Sequence, residues 1–199
     1  MRLLAASDLY GDLAAARALL DVAEAADVIV LAGDIGDEGR GASSILTLLG
    51  RAGRPIVLVA GNHDSPMALQ GFCARNPKVH LLHGETLRLQ GRDFFGLGGE
   101  TPPVHAAPWN FAVTEQQADA MLAACPVGAA LISHSPPHGF CDTKKDGRHY
   151  GAQALRRALT RQKPRLHLFG HVHDAFGQEA KHGKTRLRNL GPAANWFDL

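Results

Sequence analysis

Five short apolar runs in this chain each lead into residues that can bind metal or move protons. The first is followed by Ser7–Asp8–Leu9–Tyr10, the second by Gly33–Asp34–Ile35–Gly36–Asp37 and the third by Gly61–Asn62–His63–Asp64. The fourth ends in Ser133–His134–Ser135–Pro136–Pro137 and the last in Gly170–His171–Val172–His173. Asp8, Asp34, Asn62, His134, His171 and His173 together offer carboxylates, an amide oxygen and imidazoles. Such a nitrogen and oxygen set suits divalent manganese, iron or zinc better than a thiolate-seeking metal. A mononuclear catalytic zinc site takes about three protein ligands, so this larger set points to two ions sharing one carboxylate.

Each residue also has a bland reading. Asp8 alone reads as a helix cap, Asn62 as a turn residue, and the alternating His171 and His173 as one face of a strand. Those readings must explain donors after separate runs one by one, whereas a shared centre explains them together. Asp12, just ahead of a helical pattern, is expected to cap that helix, and Asp37 reads as a loop carboxylate.

The runs at 3–6, 28–32, 56–60, 129–132 and 166–169 have the length and Val/Ile/Leu content of buried strands. Helical spacing recurs over 13–25 and over 151–162, the latter with Leu155 and Leu159 on one face and Arg156, Arg157 and Arg161 on the other. Alternating strands and helices from residue 3 to residue 60 predict right-handed crossovers and parallel strands. In an open α/β sheet, ligands bind beyond the carboxyl ends of the strands, which is where every donor named above falls. The segments 79–82, 86–89 and 94–97, split at Gly84 and Gly91, read instead as antiparallel hairpins. No repeat or linker divides the chain, so residues 1–199 are expected to form one domain.

Composition bounds the function classes. A 45% hydrophobic and 20% charged chain is ordinary for a globular protein. A net charge of +2 is too balanced for a dedicated nucleic-acid or membrane-surface binder, so nucleic acid is expected only as a substrate. No apolar run is long enough to cross a bilayer, and with no leader read at Met1–Arg2 the expected compartment is the cytoplasm. Cys73, Cys125 and Cys141 lack metal-knuckle spacing and are expected as reduced thiols.

The ordered blocks Asp8, Gly33–Asp34, Gly61–Asn62–His63–Asp64, His134 and Gly170–His171–Val172–His173 resemble the signature of the calcineurin-like metallophosphoesterase family. Residues 133–137 and 164–174 further resemble its small bacterial and archaeal members. The resemblance implies an α/β fold, a four-layer α/β/β/α sandwich of mixed sheets. It also implies a metal-dependent phosphoesterase, a phosphodiesterase rather than a phosphomonoesterase, acting on a small phosphate ester through two divalent ions, manganese first and iron or zinc next. Carried over, Asp34 bridges the ions, Asp8 and His173 bind one, and Asn62, His134 and His171 bind the other. A metal-bridging hydroxide is the implied nucleophile, with His63 the general acid and Asp64 its orienting partner.

One position departs from the family pattern, which has Asp-x-His where this chain has Asp8–Leu9–Tyr10. Tyr10 is either a metal ligand or a phenol beside a weakened first metal position. The alternative function is a binding or scaffold protein on the same fold, impaired in catalysis. Two loops are candidates for substrate choice: 98–110, with His105 and Trp109, and 138–150, with Lys144, Lys145, Arg148 and His149 as a substrate contact. The oligomeric state is left open.

Overall fold

A computed structural model describes residues 1–199. The first half alternates as expected: β1 (Arg2–Ala6), α1 (Leu13–Val22), β2 (Val28–Ala32), α2 (Ala42–Gly50), β3 (Ile56–Val59), α3 (Pro66–Cys73) and β4 (Val79–Leu81). There follow β5 (Glu85–Leu89), β6 (Arg92–Leu97), α4 (Glu115–Leu122), β7 (Ala130–Ser133), α5 (Gln153–Arg161) and β8 (Leu166–Phe169). The chain closes with β9 (Glu179–His182), β10 (Thr185–Asn189) and β11 (Asn195–Asp198). Asp12 caps α1, accepting from the amides of Ala14 at 2.7 Å and Ala15 at 3.2 Å. Helix α1 ends at Val22, and a 3-10 turn over Ala23–Ala25 completes the segment that the spacing assigns to one helix.

Two sheets form, ordered β11-β1-β2-β3-β4 and β5-β6-β7-β8-β10-β9. Strands β1 to β4 run parallel, as do β6, β7, β8 and β10, while β11, β5 and β9 are antiparallel edges. Only β5 and β6 make the expected hairpin. Strand β4 instead runs parallel to β3 and belongs to the other sheet, because α3 supplies the crossover that parallel pairing needs.

Period-two alternation assigns each strand's faces to two cores. Leu3, Ala5, Val28, Val30, Val57 and Val59 from the first sheet meet Phe94, Ile132, Leu166 and Leu168 from the second. On the outer face of the first sheet, Leu4, Ile29, Leu31 and Leu58 pack on Ala16, Leu19, Ile45, Leu49 and Phe72 of the helices. On the outer face of the second, Phe95, Leu97 and Leu131 pack on Ala118, Leu122, Leu155 and Ala158. The result is the four-layer α/β/β/α sandwich. Arg157 and Arg161 of α5 are not simply solvated, for they pair with Glu115 and Asp119 of α4. All three cysteines are free thiols.

Because β1, β2, β3, β6, β7 and β8 are parallel within their sheets, the loops leaving their carboxyl ends gather at one edge of the sandwich. No helix is long and apolar enough to cross a membrane.

Candidate metal centre and cleft

Asp8, Asp34 and His134 come together at that edge, one ligand atom from each lying within 4.8 Å of the others, and all are buried. His134 donates from Nδ1 to the Ala32 carbonyl at 3.0 Å, which turns Nε2 toward Asn62 Oδ1 at 2.9 Å and Asp34 Oδ2 at 3.4 Å. The His171 ring stands 4.9 Å from that of His134, and His173 Nε2 lies 3.6 Å from Asp8 Oδ1. All six residues named from the sequence therefore meet in one site.

Close approach is possible only because certain positions lack a side chain. A Cβ on Gly61 would overlap the Asp34 carboxylate, and one on Gly170 would overlap Asp8 and Ser7. Asp8, Tyr10, Asp34 and His171 themselves adopt positive φ, at 55°, 48°, 49° and 68°. Such backbone costs about 1–3 kcal/mol per residue and tends to gather at functional sites. Asp34 Oδ2 is buried without a hydrogen-bond partner, a cost that a cation at this point would remove. The donors present thus fit a divalent ion.

The electrostatics follow from crowding. Burial alone would raise the Asp34 carboxyl, but His134 foremost, with the His63 N–H and Tyr10, outweighs it and holds Asp34 below the usual carboxylate range. Burial pulls His134 down while Asp34 and Asp8 push it up to about 9. His171, buried and facing the charge on His134, falls to about 3. His173 is raised by its contact with Asp8.

His63 faces the cleft, its Nδ1 2.8 Å from Asp37 Oδ1. The Trp109 ring lies 4.1 Å from the His63 ring. Asp64, expected as the orienting partner of His63, is engaged elsewhere. It accepts backbone N–H groups of Gly36 and Gly61 at 2.8 Å and of Ile35 at 3.2 Å. Burial and the neighbouring Asp34 push Asp64 up to about 6 against those bonds. It braces the loops that follow β2 and β3 against each other, and the carboxylate on His63 is Asp37.

Tyr10 points into the same cleft. Its hydroxyl is 2.9 Å from His173 Nε2, and its ring meets His63 and His173 edge-on at 5.0 Å and 5.6 Å. Burial, then the charges of Asp34 and Asp8, raise its pKa, so the phenol stays neutral.

His149 is not among the residues that line the cavity at this site, where its loop contributes Lys144; its Nδ1 is bound to the buried Asp142 at 2.7 Å. A cavity of about 250 Å³ is lined by Tyr10, His63, His105, Lys144, His171 and His173 among others. Both loops named from the sequence thus border the cleft.

Glu100 escaped the sequence reading. Its carboxylate is buried, 3.5 Å from His171 Nε2. The signal was there: the apolar run of β6 is followed by Gly98–Gly99–Glu100, the same pattern as the other strand ends. Taking 94–97 as part of a hairpin removed it from the parallel set.

A model of the calcineurin-like phosphoesterase family matches residues 1–175. The chain belongs to that family. The family signature therefore spans every element that carries a metal-binding candidate, and its members are metal-dependent phosphoesterases. A Synechococcus protein named a probable cyclic nucleotide phosphodiesterase is 30% identical over 86% of this chain and 67% of its own length. A UPF0046 protein of Caenorhabditis elegans is 32% identical over 50% of this chain, a match spanning 33% of the worm protein. A dimetal phosphatase from Danio rerio superposes with a TM-score of 0.63 at 16% identity, covering 96% of this chain and 88% of that one. At that identity the likeness is one of fold.

Proposed function

We propose that this chain hydrolyses phosphate diesters of small molecules in preference to monoesters, at a centre of two divalent ions. The observation that carries the reading is the convergence of Asp8, Asp34 and His134 with an unpartnered Asp34 oxygen between them. Asp34 would bridge, with Asp8 and His173 holding one ion and Asn62, His134 and His171 the other. Manganese suits this set first, and iron or zinc next. Such ions supply a nucleophile at neutral pH and positive charge against the phosphoryl oxygens.

The chain's own residues do the rest. His63 donates a proton from Nε2 to the departing ester oxygen, a role worth about 10²- to 10⁴-fold. Asp37 holds the ring and stabilises its protonated form. Tyr10 serves as a neutral hydrogen-bond partner of His173, since a phenol with an ordinary pKa of about 10 ligates divalent ions poorly. Asp8 and His173 would consequently hold an ion more weakly than Asn62, His134 and His171. Lys144 at the cleft rim attracts the anionic substrate.

Diester preference is supported by the name of the Synechococcus relative and by the aromatic wall of Tyr10 and Trp109 beside His63, which suits a second ester group. The test is turnover of bis-p-nitrophenyl phosphate against p-nitrophenyl phosphate by manganese-loaded protein. Faster diester hydrolysis, lost in His134→Ala, is expected; faster monoester hydrolysis would overturn the preference, and no hydrolysis with manganese, iron, zinc or cobalt would favour a scaffold.

A further inference from the structure

Glu100 sits where β6 leaves its sheet, pinned on both sides by backbone bonds, its N–H to the Phe111 carbonyl and its carbonyl from the Val113 N–H. Its side chain organises the loop between. Oε2 accepts the N–H groups of Val104 at 2.9 Å and His105 at 3.0 Å and the Asn110 amide at 3.1 Å, and Oε1 meets His105 Nδ1 at 2.5 Å. His105 itself is half exposed and borders the cleft. With Nδ1 committed to Glu100, its Nε2 has no protein partner. The construction repeats that of Asp37 and His63 in the same cleft: a carboxylate on Nδ1, a free Nε2, and a ring facing the cavity.

The backbone amides of Val104 and His105 and the Asn110 side chain tie the loop to Oε2. Oε1 is left to the half-exposed imidazole, and it fixes that ring beside His171, the two ring centres 6.5 Å apart. We infer that His105 is a substrate contact, hydrogen-bonding a non-bridging phosphoryl oxygen from Nε2, with Glu100 as the positioning residue that fixes its ring. Flanked by a carboxylate on one nitrogen and a phosphoryl oxygen on the other, the ring donates from both. This rests on the phosphoesterase reading above and extends it to a residue outside the family's signature blocks.

The experiment uses manganese-loaded full-length protein and two readouts: KM for bis-p-nitrophenyl phosphate, and the dissociation constant of inorganic phosphate by calorimetry. In His105→Asn the amide nitrogen takes the place of Nδ1, so the bond to Glu100 survives and Nε2 alone is lost. Expected are a 10- to 100-fold rise in both constants, the scale of one hydrogen bond to a charged group, with metal content and melting temperature unchanged. His105→Gln, whose amide reaches toward the former Nε2, recovers part of the affinity. Glu100→Gln weakens phosphate in the same direction by releasing the ring. Phosphate affinity in His105→Asn equal to wild type overturns the inference, as does a fall in its metal content, which would make the role structural. If wild type turns over neither ester, the phosphoesterase reading has failed, and calorimetry still decides: phosphate binding weakened in His105→Asn supports the contact, and no binding by wild type overturns it.

Discussion

His63 Nδ1 lies 2.8 Å from Asp37 Oδ1, while Asp64, its neighbour in sequence, directs its carboxylate at backbone amides of Ile35, Gly36 and Gly61. The two aspartates therefore separate into a partner of His63 and a brace of the fold. Asp37→Asn keeps a hydrogen-bond acceptor but removes the charge that stabilises protonated His63. A drop of about 10- to 100-fold in kcat is expected, within the range of general-acid catalysis, with melting temperature and metal content near wild type. An unchanged kcat would remove Asp37 from the mechanism.

Asp64→Ala should act on stability first. It strands the buried N–H groups of Ile35, Gly36 and Gly61, each at a cost of about 1–3 kcal/mol. Urea unfolding of the metal-free protein checks this, and a loss below about 1 kcal/mol would contradict the bracing role.

Tyr10→His restores an imidazole beside His173, whose Nε2 the phenol now faces at 2.9 Å. Wild type is expected to hold one manganese ion tightly and a second weakly. The variant should tighten the weak site at least about tenfold, the factor that about 1.4 kcal/mol represents. Calorimetry and metal analysis per chain read the change directly. Equal affinities in the two proteins would mean that Tyr10 already serves as well as imidazole.

Acid should unfold the protein in part through His167. Fully enclosed, it donates from Nε2 to Ser133 Oγ at 2.8 Å, and Ser133 in turn donates to the Ser135 carbonyl at 2.6 Å. Burial holds it at about 3, against an ordinary value of about 6.5. The unfolded chain thus binds the extra proton between those values, so this contribution to stability is full above pH 6.5 and is lost as pH falls toward 3. Its slope is at most about 1.4 kcal/mol per pH unit. Urea unfolding at several pH values should give a flatter acid limb for His167→Leu than for wild type, and identical slopes would contradict the assignment.

How much of this was legible in the sequence depends on whether a feature is local. The strand ends were readable because short apolar runs broken by Gly–Asp, Gly–Asn or Gly–His are local patterns, and Asp8, Asp34, Asn62, His134, His171 and His173 all fell where the runs ended. Strand pairing is not local. Nothing in residues 79–97 tells that β4 joins β3, or that β6, besides its hairpin with β5, pairs parallel with β7, and missing the second hid Glu100. Nor does spacing tell which of Asp37 and Asp64 reaches His63, since both lie within the same cluster of loops and only the path of the backbone separates them. The basic loop 138–150 marks His149 as a cleft residue as readily as Lys144, yet it is Lys144 that lines the cavity.

The most direct measurement is hydrolysis of bis-p-nitrophenyl phosphate by protein stripped of metal and titrated with manganese, alongside Asp34→Asn. In the proposed centre Asp34 would be the carboxylate shared by both ion positions. Expected are no turnover without metal, turnover that rises with manganese in wild type, and loss of both turnover and tight manganese binding in the variant. Turnover that ignores manganese, or an Asp34→Asn protein that binds and turns over like wild type, would contradict a metal centre at this site.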